Sequence, residues 1–167
     1  NGLIVDDMIE QFVASPGARS AGVTAESIKA HGRTAAKLWK EAERVRQVLS
    51  ANQQTGSSFE GLYEDIDFRY KLERSAFEAM ATDFAERVET PIKQALSAAK
   101  LTADDLASLI LHGGAVRTPF VQKRLEALAG DTSKLRSNVN ADEAAVFGAA
   151  FKGAGLSPSF RVKEIRD

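Results

Sequence analysis

The sequence predicts a mixed α/β chain in which helices dominate and β structure is sparse. Three observations carry this prediction. Apolar residues recur at helical spacing over most of the chain, one stretch alternates strictly, and a single apolar run, Ser108 to Leu111 (SLIL), leads into Gly113 and Gly114. Isolated apolar strands need partners for their backbone groups. The SLIL strand is therefore expected in a sheet whose other strands lie outside this chain, with a further short strand near Leu135.

Leu3, Ile4, Met8, Ile9, Phe12 and Val13 are spaced as one face of an opening helix. Ser15 to Gly22 (SPGARSAG) is rich in small and turn-forming residues and reads as a mobile loop. Thr24 has the chemistry of an N-cap, with Glu26 in the first turn, for a long helix reaching about Ser50. Gly32 interrupts that helix at about 1 kcal/mol relative to alanine. Phe68, Tyr70 and Leu72 alternate, so strands at about Ser58 to Tyr63 and Asp67 to Leu72 are expected to form a hairpin.

Helical periodicity returns from Arg74 through Val88, and Thr90-Pro91 is expected to start another helix that ends near Lys100. Thr102 and Asp105 predict a capped turn. After the Gly-Gly turn, a helix from about Thr118 to Ala129 is expected. Asn140 and Glu143 have capping-box spacing for a last helix of small residues reaching about Gly155.

Composition narrows the function classes. Hydrophobic residues make up 44% and charged residues 27% of 167 residues, ordinary values for a globular protein. A net charge of −1 gives no electrostatic case for nucleic acid or an anionic membrane. No apolar stretch approaches the ~20 residues of a membrane span. With no cysteine, disulfides and thiolate metal sites are excluded. His31 and His112 are far apart and have no ligand-like spacing, so no metal ligand is expected.

Three segments carry candidate chemistry. A glycine pair between a strand and a helix start brings backbone close to phosphate, because glycine removes side-chain bulk and permits positive φ. In KEAERVRQVLSAN, Glu43, Arg46, Gln47 and Ser50 sit at i, i+3, i+4 and i+7 and form one polar stripe. Val45, Val48 and Leu49 occupy other faces, with Val48 and Leu49 expected inward. The stripe fits either a solvated face or a polar wall that holds hydroxyl groups and a ring. In NADEAAVFGAA, Asp142 falls in a first helical turn, where an acid is favoured by the helix dipole alone.

Taken in order, ERVRQVLS, GGAVRTP and NADEAAVFGAA resemble the E-x-x-K-R-x-x-S helix, GGSTRIP-like turn and NPDEA-x-x-x-GAA segment of the 70-kDa heat-shock (DnaK-type) chaperone superfamily. GLYEDIDFRYKLERSAFE is similar to that family's DLYEGIDF and R-x-x-F-E segments. The resemblance covers the chain from about Ala35 onward. It implies part of lobe II of a nucleotide-binding domain with the actin-like ATPase fold. Residues 1–100 would be an outer subdomain of helices and hairpin, and 101–167 part of the inner sheet subdomain.

Carried over, the resemblance implies that Glu43, Arg46 and Ser50 contact adenosine and that Gly113 and Gly114 lie beside the diphosphate of ATP or ADP. Arg117 would stack on adenine, with Asp142 behind it. This chain departs from the pattern at Arg46 (lysine in the family), Gln47 (the stacking arginine), Ala115, Val116 and Thr118, which weakens the case for tight nucleotide binding without abolishing it.

The family's phosphate loops, catalytic lysine and magnesium-associated aspartates have no counterpart here. No catalytic residue is assigned, and the chain by itself is expected not to hydrolyse ATP. Leu49 to Asn52, Leu156 to Lys163 and the NADEAA and DIDF wording are similar to the large branch, the 110-kDa cytosolic and 170-kDa endoplasmic-reticulum relatives. That implies a stress-response chaperone that handles unfolded clients and acts as nucleotide-exchange factor for an ordinary 70-kDa chaperone. The endoplasmic reticulum lumen is the expected location, with the cytoplasm as alternative. An ATP-hydrolysing chaperone proper, or a helical interaction domain without nucleotide, stays open at this point.

Overall fold

The computed structural model describes residues 1–140 and 143–163. It divides into two compact units, Asn1–Phe84 and Ala85–Asp167.

The first unit is built around two helices and a hairpin. Helix α1 (Gly2–Val13) buries Ile4, Met8, Ile9 and Phe12, the face its periodicity predicts. The stretch read as a loop instead forms a short helix, α2 (Pro16–Ser20). Ser15 caps it, Pro16 takes the first helical position, and Ala18 is buried. Its small residues are what let this turn sit against the core.

Thr24 caps α3 (Ala25–Ala30) in a reciprocal box with Ser27. The expected long helix breaks at His31, which adopts an extended backbone (φ −86°, ψ 93°), and resumes as α4 (Gly32–Ala51). The inward face of α4 is Thr34, Leu38, Ala42, Val45 and Leu49. Val45 is therefore fully buried and Val48 only half-buried, a correction of the expected inward pair.

Strands β1 (Gln54–Tyr63) and β2 (Ile66–Glu73) form the expected hairpin, each longer than the alternation alone indicates. Phe68, Tyr70 and Leu72 face inward and their neighbours outward. The Phe68 ring meets Phe12 edge-on at 5.3 Å and stacks on Phe59 at 5.9 Å, which joins hairpin to α1. Tyr70 donates its hydroxyl to Asp7 Oδ2 at 2.6 Å. Burial, then that carboxylate, raises its pKa far above the usual phenol value.

A second polar tie is fully buried. Thr34 Oγ1 donates to the Leu62 carbonyl at 2.8 Å and lies 2.8 Å from His31 Nδ1. The His31 ring packs edge-on against Tyr63. Both histidine contacts are structural.

Ladder pairing runs from Gln54↔Glu73 to Phe59↔Phe68, slips across a bulge, and closes at Tyr63↔Ile66. The two turn residues, Glu64 and Asp65, both have positive φ, 49° and 56°. That is the backbone of a two-residue hairpin turn normally filled by Asn-Gly.

Residues 74–99 form α5 (Arg74–Met80) and α6 (Thr82–Ala99). No new helix starts at Thr90. Pro91 lies inside α6, bridged on the outside by the Glu89–Lys93 ion pair one turn long. A proline at a first helical position and one inside a helix look alike in sequence.

In the second unit, Arg124 of α7 (Pro119–Ala129) reaches Glu89 at 3.3 Å. Hydrogen bonding from Lys93 first, with Arg124 assisting, lowers the Glu89 pKa. Thr102 donates both its N–H and its hydroxyl to Asp105, so the expected turn forms. Strands β3 (Leu109–Ile110) and β4 (Leu135–Arg136) pair in parallel. The last helix, α8 (Ala144–Leu156), has no buried residue, and Val146, Phe147 and Phe151 are exposed. No described helix is long and apolar enough to cross a membrane.

Two stability predictions follow from the first unit. Thr34→Val leaves the buried Leu62 carbonyl without its donor and is expected to cost about 1–3 kcal/mol in urea denaturation. Asp65→Gly relieves a left-handed non-glycine residue and is expected to stabilise by about 1 kcal/mol in the same assay. No change in either midpoint contradicts the assigned contacts.

Candidate functional site

Each half of the sequence-predicted site is built by its own unit. In the first, the buried stripe of α4 sets the helix's rotational phase and leaves Glu43, Gln47 and Ser50 exposed on one flank, with Arg46 half-buried beside them. Arg46 Nε donates to Asn1 Oδ1 at 3.0 Å, which holds the guanidinium against the start of α1. Ser50 Oγ donates to the Gln47 carbonyl at 2.6 Å, leaving its lone pairs outward. Glu43 makes no hydrogen bond or ion pair among the described residues. The flank thus offers an exposed carboxylate, a hydroxyl acceptor and a planar cation in a row.

The sequence reading missed one residue of this row. Trp39 lies four residues before Glu43, on the same line as Glu43, Arg46 and Ser50, and is 53% exposed. A large aromatic left in solvent beside a polar row is informative where scattered exposed leucines are not. Its i−4 spacing from Glu43 is the signal that could have found it. It is the chain's sole tryptophan.

In the second unit the glycine turn sits at the C-terminal ends of two parallel strands. Leu111 N–H donates to the Arg136 carbonyl at 2.8 Å, extending the β3–β4 pairing to the edge of the turn. Gly113 has φ +100°, ψ 156°, a conformation that a side chain would strain. Gly114 opens a 3₁₀ turn, Gly114–Arg117, and only then does Thr118 lead into α7 with Pro119 at its first position. The glycines therefore deliver the chain to a 3₁₀ turn, and the α-helix starts at Pro119, five residues after Gly114.

A Cβ built at Gly113 or Gly114 would meet nothing within 4 Å. Packing does not require glycine at either place. The backbone does at Gly113, and at Gly114 the absence of a side chain simply keeps the approach clear.

Leu111, Gly113, Val116 and Arg117 line a cavity of about 280 Å³ together with Ser137, Asn138, Val139 and Asn140. The parallel pairing explains that company. Strands in register send the segments that follow them to the same end of the sheet, where open α/β sheets bind ligands. The structure thus brings Gly113 and Arg117 together with Asn140, the first residue of the NADEAAVFGAA segment, and with Ser137, Asn138 and Val139, which sequence reasoning did not assign to the site. The short strand near Leu135 was the available clue. Asp142 lies outside the described residues.

Among the described residues no group of three or more His, Cys, Asp or Glu is placed to hold a metal ion. The larger cavity of the first unit, about 590 Å³ between Asp7, Gln11, Gly56, Lys71 and Glu73, contains none of the predicted site residues.

The family model described as Hsp70 protein matches residues 2–166. The chain is 49% identical over 131 residues to hypoxia up-regulated protein 1 of Danio rerio, covering 78% of this chain and 13% of that protein. It is 43% identical over 142 residues to the Homo sapiens protein of the same name, covering 85% and 14%. To heat shock protein 70 homolog lhs1 of Schizosaccharomyces pombe it is 47% identical over 133 residues, covering 80% and 16%. The chain thus spans 13% to 16% of the length of these curated relatives. With its mixed helix-and-sheet architecture, the chain belongs to the Hsp70 family, as a piece of that family's ATPase domain.

Proposed function

We propose that this chain forms one wall of an adenine-nucleotide cleft, with residues 1–100 and 101–167 as parts of the outer and inner subdomains of lobe II. Glu43, Arg46 and Ser50 face adenosine, Gly113 and Gly114 lie beside the diphosphate, and Arg117 and Asp142 approach the adenine. The observation that carries this reading is the glycine turn. Its glycine-permitted φ of +100° and clear approach, at the C-terminal ends of parallel strands, are what a diphosphate needs and what packing does not.

The other residues fit the same group. Glu43 can accept from ribose or adenine donors, and Ser50 can accept while its own proton stays on the Gln47 carbonyl. Arg46, tethered by Asn1, can lie flat on a ring. Bound ATP supplies a phosphoanhydride; the residues here position and orient it. Charge neutralisation of the transferring phosphoryl group falls to residues and magnesium outside this chain, which by itself does not turn ATP over.

For the whole protein, the reading is a chaperone that assists folding of unfolded clients and serves as nucleotide-exchange factor for an ordinary 70-kDa chaperone. The departures at Gln47, Ala115 and Val116 favour nucleotide as a structural ligand over rapid turnover. Losing the stacking arginine at position 47 removes a cation–π contact to the base. The NADEAA and DIDF wording supports a place in the endoplasmic reticulum lumen.

Titration of the protein's ATPase domain with a fluorescent ADP analogue tests the wall. Glu43→Ala and Ser50→Ala are each expected to weaken binding about ten-fold, and Arg33→Ala, on another flank, to leave it unchanged. Equal affinities for all four proteins contradict the assignment. The exchange role has its own test. The full protein loaded with a non-hydrolysable ATP analogue is expected to accelerate ADP release from an ordinary 70-kDa chaperone. Loss of acceleration under that condition favours an ATP-hydrolysing chaperone.

A further inference from the structure

Nothing in the first unit uses Trp39. It is 53% exposed, and among the described residues its ring makes no aromatic contact and its Nε1–H no hydrogen bond. An indole left in water forgoes the largest apolar burial that any side chain offers. Leu38 and Ala42, on the buried seam of α4, fix the rotation of the helix on either side of it. The exposure of Trp39 is therefore a property of the folded helix and does not come from fraying.

Side chains on an α-helix lean towards its N-terminus, so each covers the turn before its own Cα. Glu43 follows Trp39 by one turn, about 6 Å along the axis, and its carboxylate is carried towards the indole. The indole in turn leans over Ala35 and Ala36, whose small side chains let it lie against the helix. The pair is thus a carboxylate at the edge of a flat apolar plate, with one N–H donor on the plate's rim. That is the chemistry that holds a sugar ring. Hydroxyl protons go to the carboxylate, and the C–H face lies on the aromatic surface.

We infer that Trp39 is the platform on which the ribose of the bound nucleotide rests while Glu43 accepts its hydroxyl protons. The inference rests on the nucleotide reading proposed above and adds one residue and one subsite to it. Order along the row assigns the sugar to this end. Arg46 and Ser50 lie beyond Glu43, and the planar cation of Arg46 is the group suited to the base. A base at that end leaves the ribose at Glu43, against Trp39. Gln47 gives the base no cation–π contact, so an aromatic hold on the sugar offsets a contact that this chain lacks. A protein partner anchored on the ring would call for uncharged neighbours at the centre of its interface. Here two exposed charges, Lys40 and Glu43, border the ring instead.

The test is calorimetric titration of the protein's ATPase domain with ADP, for wild type, Trp39→Ala, Trp39→Phe, Glu43→Ala and W39A/E43A. Trp39→Ala is expected to weaken ADP about five-fold, and Trp39→Phe, which keeps a flat ring, to stay within about two-fold of wild type. Because both residues hold one sugar, the double variant should lose less than the product of the two single losses. A second readout does not depend on the alanine variant. With 5-fluorotryptophan incorporated, the fluorine NMR resonance that disappears in Trp39→Phe belongs to Trp39. It should shift with ADP and with adenosine, and stay in place with inorganic pyrophosphate. Equal ADP affinity for wild type and folded Trp39→Ala overturns the inference and leaves the nucleotide wall standing. So does a Trp39 resonance that is unmoved at saturating ADP. No binding of ADP to wild type removes the nucleotide reading itself, and the platform with it.

Discussion

Which side chains the first unit presents to solvent along its longest helix depends on how α4 is rotated. Thr34, Leu38, Ala42, Val45 and Leu49 are all buried against α1 and the hairpin, and that seam fixes which residues can face solvent. Turning the helix by one position would expose Val45 and bury either Trp39, Glu43, Arg46 and Ser50 or Arg33, Lys37 and Arg44. The Thr34 hydroxyl on the Leu62 carbonyl adds a directional lock, because a buried hydrogen bond tolerates little rotation where apolar contact alone tolerates some. From that one constraint follow both exposed rows: Trp39, Glu43, Arg46 and Ser50 on one flank, and Arg33, Lys37 and Lys40 on another.

The second unit obeys a different constraint. Two strands of two residues each cannot hold much by themselves, yet their parallel register decides the site. It sends Gly113 and residues 137–140 to the same end and so forms a cavity from segments more than twenty residues apart. The uncovered apolar residues of α8 show that this unit's packing is unfinished within the described residues. That agrees with the small share of each relative that the chain spans.

Legibility in the sequence followed how local the deciding physics was. The opening helix, the Thr24 cap, the alternating hairpin and the glycine turn are each specified by neighbours within a few residues, and each was readable. The segment from Ser15 to Gly22 was misread because Ser-Pro-Gly fits both a loop and a capped short helix, and burial of Ala18 decides between them. Thr90-Pro91 was misread for a related reason, since a proline carries the same local signal at a helix start as inside one. Trp39 and residues 137–139 were overlooked because their relevance comes from the face or strand end they share with others. The identity of the family was legible only through three motifs in order, none of which is decisive alone.

The proposed nucleotide wall requires the Glu43–Ser50 flank and the glycine turn to address the same nucleotide. Photoaffinity labelling of the protein's ATPase domain with 2-azido-ADP, followed by peptide mapping, tests it directly. Label is expected within residues 43–50 and within 113–117, both suppressed by excess ADP. Label confined to other segments, or unaffected by ADP, would contradict it.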